Sequence, residues 1–122
     1  MDKFVARQNF RRFTHRLGFE SDCKTRARLE ALLLQEVEKL GADLGMLGEV
    51  RKTIASFDAL IDTQSRFVAL LDTNGQHSAS ATALLDGLRR TKDLCTRYYE
   101  RLVSSTNHCR SLDRTEPDPR PQ

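Results

Sequence analysis

The sequence predicts an all-α fold, an elongated antiparallel helical hairpin or coiled coil of three helices with one long central helix. Three observations carry this. An apolar stripe runs Leu29, Leu33, Val37, Leu40, Leu44, Leu47, Val50, Ile54, Phe57, Ile61, Gln64, Val68, Leu71, in steps of three or four residues and with only Gln64 polar. Its mean step of about 3.5 residues keeps one helix face turned toward a neighbour. Trp is absent and β-branched residues are sparse, and no proline occurs before Pro117.

The elements follow in order. Asp2 is placed to cap a first helix over about 3–17, whose inner face reads Lys3, Ala6, Phe10, Phe13, Leu17. Gly18 then supplies a residue tolerant of left-handed backbone. The link to the next cap, Ser21 or Asp22, is so short that the chain must turn back. The central helix is expected over 22–73, roughly 78 Å at about 1.5 Å per residue. Gly41, Gly45 and Gly48 interrupt its propensity, and the alternative is a compact four-helix bundle with a break near Gly41. Asn74-Gly75 stops the helix, Ser78 caps the next, and a last helix is expected over 79–104. Its broad face of Leu84, Leu85, Leu88, Leu94, Cys95, Tyr98, Tyr99 and Leu102 is interrupted at Thr91 and Lys92. Residues 1–107 form one helical-hairpin domain. The tail 108–122, charged and holding Pro117, Pro119 and Pro121, is expected to be disordered.

Composition narrows the function classes. With 39% hydrophobic and 30% charged residues the chain is that of a soluble helical protein, and the formal charge of +3 is mild. Residues 1–28 hold eight Lys or Arg against three acids, so the basic excess sits at one end. No stretch has the ~20 apolar residues of a membrane span, and MDKFVARQNF lacks the apolar core of a secretory signal. Cys23, Cys95 and Cys109 are odd in number and lack CxxC spacing, which speaks for free thiols in a cytoplasmic setting.

No catalytic constellation emerges: there is no Gly-rich phosphate loop, GxSxG, HExxH or carboxylate pair. His15, His77 and His108 with the three cysteines offer metal-ligand types without metal-ligand spacing, so neither a metal nor another cofactor is expected. Tyr98 and Tyr99 point about 100° apart on a helix and read as core and boundary rather than a stacking platform. The basic helix is the better candidate surface. Arg7, Arg11, Arg12 and Arg16 lie opposite Phe10 and Phe13, suited either to phosphates of a nucleic acid or to acidic side chains of this chain or of a partner. Its aromatic residues beside arginines would also suit a membrane surface, but burial against the long helix explains them with fewer assumptions.

Thr14-His15-Arg16-Leu17-Gly18 resembles the phosphorylatable-histidine segment of helical phosphotransfer domains in His15, Leu17 and Gly18. It departs from that pattern in placing the histidine at a helix end, with Arg16 where a lysine is wanted. The run Phe4 to Phe13, followed by the Leu-rich segment Leu29 to Leu40, resembles a group of short uncharacterised bacterial helical-hairpin, coiled-coil proteins, over about two-thirds of the chain. That resemblance implies an all-α fold and a bacterial cytoplasm, and it transfers no activity.

A rod two helices thick leaves much of its Leu and Phe surface wet, at about 0.8 kcal/mol per methylene. The expected outcome is a homodimer, and Leu40, Leu44, Leu47, Ile54, Phe57, Ile61, Gln64, Val68, Leu71 and Leu88 are the expected oligomer or helix seam, with Gln64 fixing register through its symmetry mate or Lys92. The expected function is a non-enzymatic protein-protein interaction module, a dimerising coiled-coil adaptor or regulator. The alternative is a small nucleic-acid-binding regulator using the basic N-terminal helix.

Overall fold

The computed structural model describes the backbone of residues 2–115 and the side chains of residues 3–105. The regular structure of the described residues is entirely helical, with no strand: α1 (Asp2–Leu17), α2 (Cys23–Leu40), a 3-10 turn at Leu44–Met46, α3 (Leu47–Thr73) and α4 (Ala79–Thr115). Among the described residues no helix is long and apolar enough to cross a membrane.

α1 and α2 fold back on each other, and so do α3 and α4; α4 also reaches α2 and α1. The turn between the first two helices uses Gly18, whose N–H bonds to the Thr14 and His15 carbonyls. Contrary to the sequence expectation, Gly18 does not take a left-handed backbone. It is instead a place of close approach, since a Cβ there would lie 3.1 Å from the His15 carbonyl and 3.2 Å from Leu60. Asp22 caps α2, accepting from the Thr25 N–H at 2.9 Å and the Thr25 hydroxyl at 2.7 Å. The side chain of Asp2, the expected cap of α1, lies outside the described residues.

The continuous helix expected over 22–73 is interrupted. α2 ends at Leu40, and Gly41 takes φ 53°, ψ −127°, a backbone that side-chain-bearing residues rarely adopt. Asp43 then caps the 3-10 turn through the Gly45 N–H at 3.1 Å, and Met46 plugs the junction, 1% exposed. The apolar period survives because it records which side chains are buried, not whether the backbone between them is helical. Leu29, Leu33, Val37 and Leu40 of α2 and Val50 and Phe57 of α3 are all buried, while Leu44, on the turn itself, is turned out.

The α3–α4 turn matches expectation. Gly75 has φ 74°, and the Ser78 hydroxyl accepts from the Ala81 N–H at 3.1 Å. α4 runs on past the expected end at Ser104 to Thr115, so residues 108–115 of the expected tail are helical; residues 116–122 lie outside the described residues.

The core gathers Ala6, Phe10 and Leu17 of α1, Leu33, Val37 and Leu40 of α2, Val50 and Phe57 of α3, and Leu88, Cys95, Tyr98 and Leu102 of α4. The four helices share this body. From Ile61 to Ser80 no side chain is buried, and this stretch forms the outer part of a two-helix arm closed on its inner side by Ala81 of α4, 7% exposed. The arm is held by Ile61, Val68 and Leu71, all partly buried, and by Gln64, whose amide donates to the Ala81 carbonyl at 2.9 Å.

Candidate functional site

A buried arginine fastens the body together. Arg26 lies on the first turn of α2, three residues before Leu29 on the same face, and is 1% exposed. One terminal nitrogen donates to the Leu17 carbonyl at 2.7 Å and the Glu20 carbonyl at 2.6 Å. The other donates to the Gly87 carbonyl and the Thr91 hydroxyl of α4, both at 2.6 Å. Burial lowers its pKa and the neighbouring Glu30 carboxylate, 3.9 Å away, raises it; a guanidinium stays charged at neutral pH throughout. The group thus neutralises carbonyl oxygens at the α1 C-terminus, where the helix dipole is negative. Gly87 is required by this packing, because a Cβ there would collide with the Arg26 side chain. The break in the α4 apolar face at Thr91 is the other half of the same contact. Neither Arg26 nor Gly87 was singled out by the sequence reading, although an arginine in phase with a leucine stripe and a mid-helix glycine opposite a threonine are the signals that could have found them.

Three of the four arginines of α1 are engaged in ion pairs within the chain. Arg7 makes a two-pronged contact with Asp43, Nε at 3.0 Å and Nη2 at 2.7 Å. Arg11 pairs with Glu49 of α3 at 3.2 Å and Arg16 with Glu20 at 3.4 Å. Arg12 is exposed. Partial burial would raise the Asp43 pKa, but the hydrogen bonds from Arg7 and the Gly45 N–H outweigh it and lower it. Arg7 and Arg11 therefore tie α1 to the α2–α3 junction and to the start of α3.

Other sequence candidates fall into place. His15 is exposed and stacks edge-on against Phe19, ring centres 5.4 Å apart. His77 stands 3.8 Å from Asp72 at the exposed arm tip. Tyr98 is core, its pKa pushed up to about 12 by burial, with Arg101 over its ring at 5.8 Å; Tyr99 is half-buried. The Cys95 thiol is likewise pushed up to about 12 by burial, whereas Cys23 is exposed. The side chains of His108 and Cys109 lie outside the described residues. Among the described residues no group of three or more His, Cys, Asp or Glu could hold a metal ion.

The expected seam residues divide. Leu40, Phe57 and Leu88 are buried, and Leu47, Ile54 and Ile61 pack against the core from its edge. Gln64, Val68 and Leu71 are partly buried in the arm, and Leu44 is exposed. This seam thus lies inside one chain, and Gln64 serves it by bonding to Ala81 rather than to Lys92, which instead pairs with Asp58 at 2.6 Å.

A second stripe was missed. Ser56, Leu60, Thr63, Phe67 and Leu70 also recur at steps of four and three, on a face of α3 roughly 110° from the one that meets α4. Leu60 is 39% exposed, Phe67 48% and Leu70 58%. At its body end the stripe enters a groove of about 600 Å³ between α1 and α3, walled by Thr14, His15 and Phe19 on one side and Thr53, Ser56 and Leu60 on the other, with the Arg11–Glu49 ion pair in its lining. Where α1 ends, at Gly18 against Leu60, the same face runs on uncovered along the arm.

Comparison with protein-family models, with curated proteins and with solved structures found no match for this chain.

Proposed function

We propose that the chain is a non-enzymatic protein-protein interaction module, a coiled-coil adaptor or regulator that dimerises and offers its remaining helix faces to a protein partner in a reducing, cytoplasmic setting. The observation that supports this reading is the two-helix arm, which carries Leu60, Phe67 and Leu70 in solvent on one continuous face. Large apolar side chains grouped in this way gain most from being covered by another helix. The reading gains further support from the basic helix, whose Arg7 and Arg11 are already engaged by Asp43 and Glu49 and so serve packing before phosphate binding.

Sedimentation velocity of the full chain at micromolar concentration tests the dimer. The expected result is a species of twice the chain mass. A monomer across that range overturns the dimerising module, and strongly salt-dependent retention on nucleic acid, lost on charge reversal of Arg12 and Arg16, would replace it with the nucleic-acid reading.

A further inference from the structure

We infer that the occupant of the outer α3 face is the same face of a second copy, packed antiparallel about a twofold axis near Thr63; this rests on the dimerising reading above and assigns its surface and sense.

The first argument is composition. Ser56, Ala59, Leu60, Thr63, Phe67 and Leu70 include no charged residue, in a chain that is 30% charged. The face sets small side chains at its body end and centre and large ones at Leu60, Phe67 and Leu70, so that two identical helices packed antiparallel can interdigitate. The second argument is register. In an antiparallel pair centred near Thr63, Leu60 of one copy lies opposite Phe67 of the other and Ser56 opposite Leu70, each to within one residue. Each large side chain of the arm tip then meets a smaller one nearer the body. The open groove between α1 and α3 receives the end of the second copy's stripe at that point.

The third argument is charge. Asp62 and Arg66 stand together on one rim of the stripe, joined within the helix at 3.0 Å. About the same centre, again to within one residue, Arg66 of one copy faces Asp62 of the other, twice by symmetry. A parallel pairing would instead set Arg66 against Arg66 and Asp62 against Asp62, which is unfavourable. The inner seam cannot play this role, because Val50, Ile54, Phe57 and Ile61 are taken up within one chain.

The test uses the full chain with Cys23→Ser and Cys109→Ser, leaving the buried Cys95 in place. Thr63→Cys should give near-complete covalent dimer under mild oxidation, and Ala69→Cys, on the exposed opposite face, should give little. Equal cross-linking at both positions overturns the assigned face. Phe67→Glu should yield a monomer in sedimentation with an unchanged helical circular-dichroism spectrum. A Phe67→Glu protein that remains dimeric overturns this surface while leaving the dimerising reading intact, whereas a monomeric wild type removes both. Asp62→Arg should weaken the dimer about tenfold, and adding Arg66→Asp should restore it; failure to restore it with the helical spectrum preserved overturns the antiparallel register.

Discussion

Gly87 is small because Arg26 is large. In most helix interiors alanine is more stable than glycine by about 0.5–1 kcal/mol. Here the sign reverses, since the new Cβ would displace a guanidinium that satisfies three carbonyls and a hydroxyl. Gly87→Ala should destabilise the protein by roughly 2–4 kcal/mol, while Gly48→Ala, which meets nothing within 4 Å, should be neutral or stabilise by about 0.5 kcal/mol. Urea midpoints of the two variants at equal slope check the contrast. Asp43 adds a pH dependence with a definite sign. Its folded pKa is depressed, so its contribution is present above the unfolded carboxylate value of about 3.9 and is lost as pH falls through the folded value. The stability gap between wild type and Asp43→Asn should stay constant above about pH 5 and close below about pH 4. A gap that widened in acid would contradict the Arg7 contact as its source.

At the level of elements, the α2–α3 junction decides the shape. A helix continuing through Gly41 would carry Val50 and Phe57 away from the α1–α2 pair. The turn at Gly41, the Asp43 cap and the Met46 plug bring them into one core with Phe10 and Leu33. Gly41→Ala should lower stability by about 1–2 kcal/mol, because φ 53° with ψ −127° is strained for any residue with a Cβ. Thermal melts monitored at 222 nm would show it, and a stabilised variant would mean that the helix prefers to run through. The helix ends near Leu17, Asp22, Thr73 and Ser78 were readable in advance because capping is local chemistry. The break at Gly41 was readable only as an alternative. Three glycines in eight residues lower helix propensity without saying which one turns, and the unbroken stripe argued for continuity.

At the scale of the whole molecule, two regions differ in how well they are enclosed. The body buries side chains from all four helices, whereas the stretch from Ile61 to Ser80 buries none. Hydrogen exchange should reflect this division. In dilute protein the amides of residues 61–80 should exchange much faster than those around Leu33 and Leu88, and protection of the arm alone should rise as the concentration enters the dimer range. Arm exchange independent of concentration would place the contact surface elsewhere.

Read one residue at a time, the chain already held its helical class, its caps and most of its core, since periodicity and capping depend on neighbours three or four positions away. Phe10, Leu33, Leu40, Phe57 and Leu88 needed nothing more to be named as inward-facing. The partnership of Arg26 with Gly87 and Thr91, across more than sixty residues, did not lie in any local pattern. Nor did the division of α3 into an occupied seam and a bare one, because both stripes have helical spacing and only the path of α1, ending at Gly18, leaves one of them open. Long-range contacts select among faces that local chemistry makes equally eligible, and the outer face of α3 is eligible for a partner because the first helix stops short of it.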